Sequence, residues 1–155
     1  MSEPVYLTPE GRAELQQELD NLINVRRPEL AIKLKEAVAE GDLKENANYH
    51  DAKEQQAFIE GRIQYLENIL RSAQTINNDG PSDEVRLGSQ VTIREEDGDE
   101  DETYTIVGAA EANPREGKIS HESPIGAALL GHKKGENVKV QTPAGEIIFK
   151  IKRIK

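Results

Sequence analysis

The sequence predicts an α+β protein: an N-terminal antiparallel two-helix coiled-coil hairpin over residues 1–76, a linker at 77–82, and an antiparallel sheet domain with one short helix over 83–155. One change of period and one cluster of turn formers carry this expectation. Apolar residues recur every three or four positions in the first half and every second position in the second. Between the halves stands Asn77-Asn78-Asp79-Gly80-Pro81-Ser82, a run that suits no regular element.

Thr8-Pro9-Glu10 opens the first helix with a cap oxygen, a proline in the first turn and an early acid. Its apolar stripe is Leu15, Leu19, Leu22, Ile23, Leu30, Leu34, Ala37 and Val38. Pro28 lies inside that stripe and predicts a kink or a brief break, because proline has no N–H to donate and crowds the preceding turn. Gly41 suits a left-handed cap that ends the run. A second stripe, Ile59, Ile63, Leu66, Leu70 and Ala73, steps by fours and threes as a coiled coil does. Arms of about 30 residues make a thin rod of about 45 Å at the α-helical rise.

Beyond the turn cluster the alternating pairs are Val91/Ile93, Tyr104/Ile106, Val138/Val140 and Ile147/Phe149/Ile151. Pro143-Ala144-Gly145 predicts the turn between the last two strands, and Ser123-Pro124 opens a short helix closed by Gly131.

Composition narrows the function. Charged residues make up 32% of the chain and aromatic residues 4%, which argues against a large apolar substrate pocket. With no cysteine there is no disulfide, zinc–thiolate site or cysteine nucleophile. No stretch is apolar enough to span a bilayer and no leader is evident at the start, so the expected location is the cytoplasm. A net charge of −9 makes the chain a poor general binder of nucleic-acid phosphates. Any action on nucleic acid should therefore be local, or should rely on a partner that supplies positive charge.

The informative segment is Gly41-Asp42-Leu43-Lys44-Glu45-Asn46, at the expected hairpin tip. Asp42 and Glu45 are three apart, which allows two readings. One is a capping box, with Asp42 accepting an early helix N–H and Glu45 reaching back. The other is half of a hard-metal site, since two carboxylates hold Mg²⁺ weakly unless another macromolecule completes the ligand set. A carboxylate has lone pairs enough for both.

Other motifs fail. In Gly126 to Lys133, His132 separates glycine from lysine and no Ser or Thr follows, so no phosphate loop forms. Asp97 to Asp101 starts like a calcium loop, but Glu102 and Gly108 occupy positions that need glycine and glutamate. His50, His121 and His132 lack metal spacing. Arg26, Arg27, Lys33, Lys35 and Lys53 form either a basic patch on the hairpin or an ordinary solvated face.

Gly41 to Ala47, Tyr49-His50, Glu60 to Ile63, Val25 to Glu29, Ile106 to Gly108, Ser123 to Gly126, Ala128 to Gly131 and Thr142-Pro143 together resemble the bacterial Gre family of transcript-cleavage factors, over essentially the whole chain. Asn48 and Asp51 stand where similar chains often carry Glu and Ala. The resemblance implies an FKBP-like fold for the second half and RNA polymerase as partner. The second half would dock on the rim of the polymerase secondary channel, with Ser123, Pro124, Ile125 and Gly126 as docking candidates. The hairpin would pass down the channel toward the 3′ end of backtracked RNA. Asp42 and Glu45 would share Mg²⁺ with the polymerase, whose own site cleaves the transcript. Leu43, Lys44, Asn46 and Tyr49 would support the tip, and Arg26, Arg27 and Lys53 would face the RNA. On this reading the chain is an accessory factor, monomeric when free, that acts away from membranes. A channel-occupying inhibitor on the same scaffold, or a prolyl isomerase or chaperone, are the alternatives.

Overall fold

A computed structural model describes residues 4–76 and 83–155. The expected linker at 77–82 lies outside the described residues. The chain divides into two compact units: Arg12–Ser72 forms one, and the described residues on either side of it form the other.

The helical unit has two arms. The first runs through α1 (Pro9–Asn21), a π-helical segment (Leu22–Arg26) and α2 (Arg27–Ala39). The second is α3 (Ala47–Ser72), whose 26 residues extend about 39 Å. Of the kink or brief break expected at Pro28, no break occurs, and a π-helical turn precedes the proline instead. Asn21, Arg26 and Arg27 all keep right-handed helical angles, and the Arg27 N–H bonds the carbonyl of Leu22, five residues back. Pro28 has no N–H for the carbonyl of Asn24, and a widened turn just before it relieves the crowding without interrupting the helix.

Leu15, Leu19, Leu30 and Ala37 of the first arm, and Ala52, Ile59, Ile63 and Leu66 of the second, are buried. Val38 departs from the expected stripe and is exposed, because it falls on the last turn before the chain leaves the helix. Arg62 of α3 forms a two-pronged bond to Glu18 at 2.8 and 2.9 Å and lies 5.3 Å from the Tyr65 ring centroid.

The second unit is built on a five-stranded sheet in the order β5-β4-β3-β7-β6. Its strands are β3 (Gln90–Glu95), β4 (Asp101–Val107), β5 (Lys118–Ser120), β6 (Asn137–Thr142) and β7 (Gly145–Ile154). The sheet is mainly antiparallel, as expected, with one exception: β4 and β5 pair in parallel. Two 3₁₀ turns, Ala109–Glu111 and Pro114–Glu116, carry the chain back so that β5 runs in the direction of β4. Helix α4 (Pro124–Leu129) covers one face, over a core that includes Val91, Ile93, Ile106, Leu129, Val140 and Ile151.

The ends of the hairpin sequence join this unit. A parallel pair forms between β1 (Tyr6–Leu7) and β2 (Gln74–Thr75). Thr8 caps α1 as expected, its Oγ1 accepting from Gly11 N at 3.0 Å. The same threonine donates its N–H and its hydroxyl to the two oxygens of Glu111, at 2.8 and 2.6 Å. Glu111→Ala should cost about 2 kcal/mol, because both bonds end on a charged acceptor and Thr8 is buried. A denaturant melt read by circular dichroism checks this.

Candidate functional site at the hairpin tip

The two arms are joined by residues 40–46, a connector with its own bonding pattern. Gly41 takes φ +116, a backbone conformation that side-chain-bearing residues rarely adopt, and turns the chain out of α2. Asn46 then links both helix ends. Its Oδ1 accepts from Tyr49 N at 3.0 Å, which caps α3, and its Nδ2 donates to the Ala37 carbonyl at 2.6 Å, near the end of α2. One buried side chain thus satisfies an unpaired donor of one helix and an acceptor of the other.

The capping reading of Asp42 and Glu45 is therefore corrected. Helix α3 begins at Ala47, so both acids precede its cap and neither serves as one. Asp42 Oδ1 accepts from Lys44 N at 3.0 Å, a local turn that fixes the loop rather than a helix. Glu45 is exposed, and its carboxylate has no hydrogen-bond partner among the described residues. The connector is held by side chains other than the acids. His50 Nε2 lies 3.1 Å from the Lys44 carbonyl, Asn48 donates to Glu40 at 3.1 Å, and the Tyr49 and His50 rings meet edge to face. Leu43 is 40% exposed at the tip.

The geometry is that of a braced loop presenting two oxygen-donor side chains to solvent. Among the described residues, no group of three or more His, Asp or Glu is placed to hold a metal ion. Asn46→Ala removes the cap and the cross-link together and should cost about 1–2 kcal/mol. Asn46→Asp keeps the cap but loses the donor to Ala37, so it should retain the start of α3 while loosening the connector. Hydrogen exchange at Lys44 and Tyr49 separates the two effects.

The basic candidates divide between two flanks of the hairpin. Arg27 binds both oxygens of Glu60 at 2.8 Å. This bond holds the Glu60 carboxyl below its ordinary value, so the pair's contribution is present at neutral pH and fades as pH falls through that lowered value. Lys53 shares its flank and donates to Gln56 at 3.3 Å. Arg26 ends the π-helical segment and points to the other side, where it lines a groove with Gln55, Phe58 and Ile59. Lys33 meets Asp51 on that side at 3.4 Å. Arg26, Arg27, Lys33 and Lys53 therefore make no single patch. Among Arg26, Arg27 and Lys53, only Arg26 lacks a hydrogen-bond partner among the described residues.

In the sheet unit, Ser123 caps α4, its hydroxyl accepting from Gly126 N at 3.1 Å and donating to the Ser120 carbonyl at 2.6 Å. Pro124 is exposed, Ile125 is half-buried and Gly126 is buried.

The protein is thus of a class that carries exposed acids on the turn of a long helical hairpin, with a separate mixed-sheet unit. Two family models match it, the GreA/GreB transcription elongation factor N-terminal domain over residues 5–75 and the GreA/GreB C-terminal domain over residues 80–155. The chain belongs to the GreA/GreB family of transcription elongation factors. It is 54% identical over 149 residues to transcription elongation factor GreA of Bacillus subtilis, covering 96% of this chain and 94% of that one. It is 50% identical to the GreA of Chloroflexus aggregans, with 98% of each covered. Among solved structures it is similar to GreA factor homolog 1 of Thermus thermophilus, at 33% identity, 99% of each chain and a TM-score of 0.46.

Proposed function

We propose that this elongation factor enters the secondary channel of RNA polymerase and stimulates Mg²⁺-dependent cleavage of the 3′ end of backtracked RNA, as an accessory to the polymerase rather than as an enzyme itself. The observation that carries this reading is the exposure of Asp42 and Glu45 on a connector whose structural work is done by Asn46. Acids that neither cap a helix nor pair with a cation are available to an outside ligand.

The donor set fits the ion. Carboxylate oxygens suit Mg²⁺, and two of them leave most of an octahedral shell to water and to a partner. Asp42 and Glu45 would hold it, and when bound it supplies an activated water and stabilises developing charge on phosphate oxygens. Asn46, Asn48 and His50 keep the connector in place, so that the acids arrive already ordered. Arg26 is available to meet RNA phosphate, whereas Arg27 would first have to leave Glu60. The first turn of α4, with Pro124 outward, is the proposed polymerase contact. The working place of such a factor is the cytoplasm. No helix among the described residues is long and apolar enough to cross a membrane.

An isomerase reading has little support in the aromatic residues of the sheet. Phe149 is 5% exposed within the core, and the Tyr104 hydroxyl donates to Glu102 at 2.9 Å. The test is direct: a polymerase complex backtracked at a defined position is incubated with Mg²⁺, with and without the protein, and the RNA is resolved by length. Shortened transcripts appearing faster with the protein support the proposal, and occupancy without cleavage would indicate an inhibitor.

A further inference from the structure

The connector of residues 40–46 sets three acids, Glu40, Asp42 and Glu45, against a single cation, Lys44. That lysine stands between the two carboxylates of the proposed ion site. Its backbone is held at both ends. Lys44 N donates to Asp42 Oδ1 at 3.0 Å, and the Lys44 carbonyl lies 3.1 Å from His50 Nε2. A carbonyl only accepts, so Nε2 carries the proton of that bond, as it can in neutral and in protonated histidine. The His50 ring also meets the Tyr49 ring edge to face, which seats this clamp on the first turn of α3.

The side chain takes no part in the bracing. Lys44 is exposed, and its Nζ makes no hydrogen bond or ion pair with any described residue, although an acid stands on each side of it. Exposed lysines without partners are common. This one differs in rising from a backbone fixed by two bonds, beside groups whose charge makes a cation useful. Carboxylates brought up to RNA meet phosphate oxygens of the same sign, and before a divalent ion is bound nothing else in the connector offsets that repulsion. An ammonium paired with Asp42 or Glu45 would use up a carboxylate that the ion needs. Left unpaired, it keeps both acids available and brings its own donors to a phosphate.

We propose that Lys44 is a substrate-contacting residue whose ammonium binds a phosphate oxygen near the 3′ end of the backtracked RNA. The proposal rests on the reading of Asp42 and Glu45 given above and adds a third member to the tip. Phosphate is favoured over a base because an ammonium is a compact point charge with three donors. It has no planar fork to match a base edge and no ring to stack on one.

A polymerase complex backtracked at a defined position is assembled with natural RNA, and with RNAs carrying one uncharged methylphosphonate at each of the last few linkages in turn. On natural RNA, Lys44→Gln is expected to stimulate cleavage about tenfold less than the parent, and Lys44→Arg to recover most of that loss. A methylphosphonate at one linkage alone should erase the difference between the parent and Lys44→Gln, the mark of a direct pair. The same pair is read without cleavage. In EDTA the parent should be held more tightly than Lys44→Gln on natural RNA, and equally on that one methylphosphonate RNA. The Mg²⁺ concentration at half-maximal stimulation should not rise in Lys44→Gln, because removing a cation beside the acids strengthens their hold on Mg²⁺. A connector that had merely loosened would raise it, and that result would overturn the proposal. So would equal cleavage and equal binding by the parent and Lys44→Gln on natural RNA. A deficit that persists at every methylphosphonate position would also overturn it and would assign the lysine to a carboxylate of the channel wall. A parent that occupies the complex but stimulates no cleavage defeats the reading of the acids, and the binding comparison in EDTA still decides for or against the lysine.

Discussion

Gly126→Ala is expected to destabilise the sheet unit by about 3 kcal/mol and to lower its melting temperature by about 10–20 °C. Gly126 is the third residue of α4, where alanine is ordinarily the better helix former. Here a methyl group would sit 2.1 Å from the Ser120 carbonyl oxygen and 3.0 Å from the Ser123 hydroxyl. Both neighbours are fixed: Ser120 ends β5, and the Ser123 hydroxyl bridges Gly126 N to the Ser120 carbonyl. Relief requires α4 to lift from the sheet, which uncovers Leu129, a fully buried core residue. The overpacking penalty therefore far exceeds the gain in helix propensity. Ala127 is exposed one position along, so Ala127→Gly should cost only about 1 kcal/mol and serves as the contrast. Thermal melts of the two variants decide the point.

How much of this could be read from the sequence depended on how local the cause was. The helical stripes apart from Val38, Thr8 as a cap, Ser123 before Pro124 and the period-two strands rest on neighbours within a few positions, and each is found where expected. The tip was legible in location but not in its division of labour. Asp42-x-x-Glu45 has capping-box spacing, yet Asn46 stands immediately before the helix and is itself a preferred cap. The competing signal was present in Asn46-x-x-Tyr49; the bond to Ala37, nine residues back, was not.

Pro28 was a sound signal with more than one structural answer, and the π turn absorbed it. The parallel β4–β5 pair was hidden because β5 has only three residues and its direction is set by two 3₁₀ turns. The β-bulge at Lys152, between the Thr92–Arg153 and Ile93–Ile151 pairs, was equally hidden, since it depends on which residue of β3 each β7 residue faces. Arg26 and Arg27 read as one basic pair in sequence. Adjacent helical residues point about 100° apart, and Glu60 holds only one of them.

The second large effect concerns the acids at the tip. Asp42→Asn with Glu45→Gln keeps the shape of both side chains and leaves an oxygen at position 42 to accept from Lys44 N. The exposed positions and the Asn46 brace predict an unchanged fold, with a melting temperature within about a degree of the parent, as expected for surface changes away from structural features. On the proposed role in holding Mg²⁺, removing both carboxylate charges predicts at least about a hundredfold slower stimulated cleavage, because a bound ion contributes several kcal/mol to such a transition state. Charge, not shape or stability, is what the pair removes.

The most direct measurement is the rate of 3′-end cleavage in a defined backtracked polymerase complex. The protein carrying both Asp42→Asn and Glu45→Gln is supplied at a concentration that matches the parent's occupancy of polymerase. Cleavage is expected to fall to the polymerase's own background while occupancy is kept. Cleavage at the parental rate by that double variant would contradict a role for the two carboxylates in holding the ion.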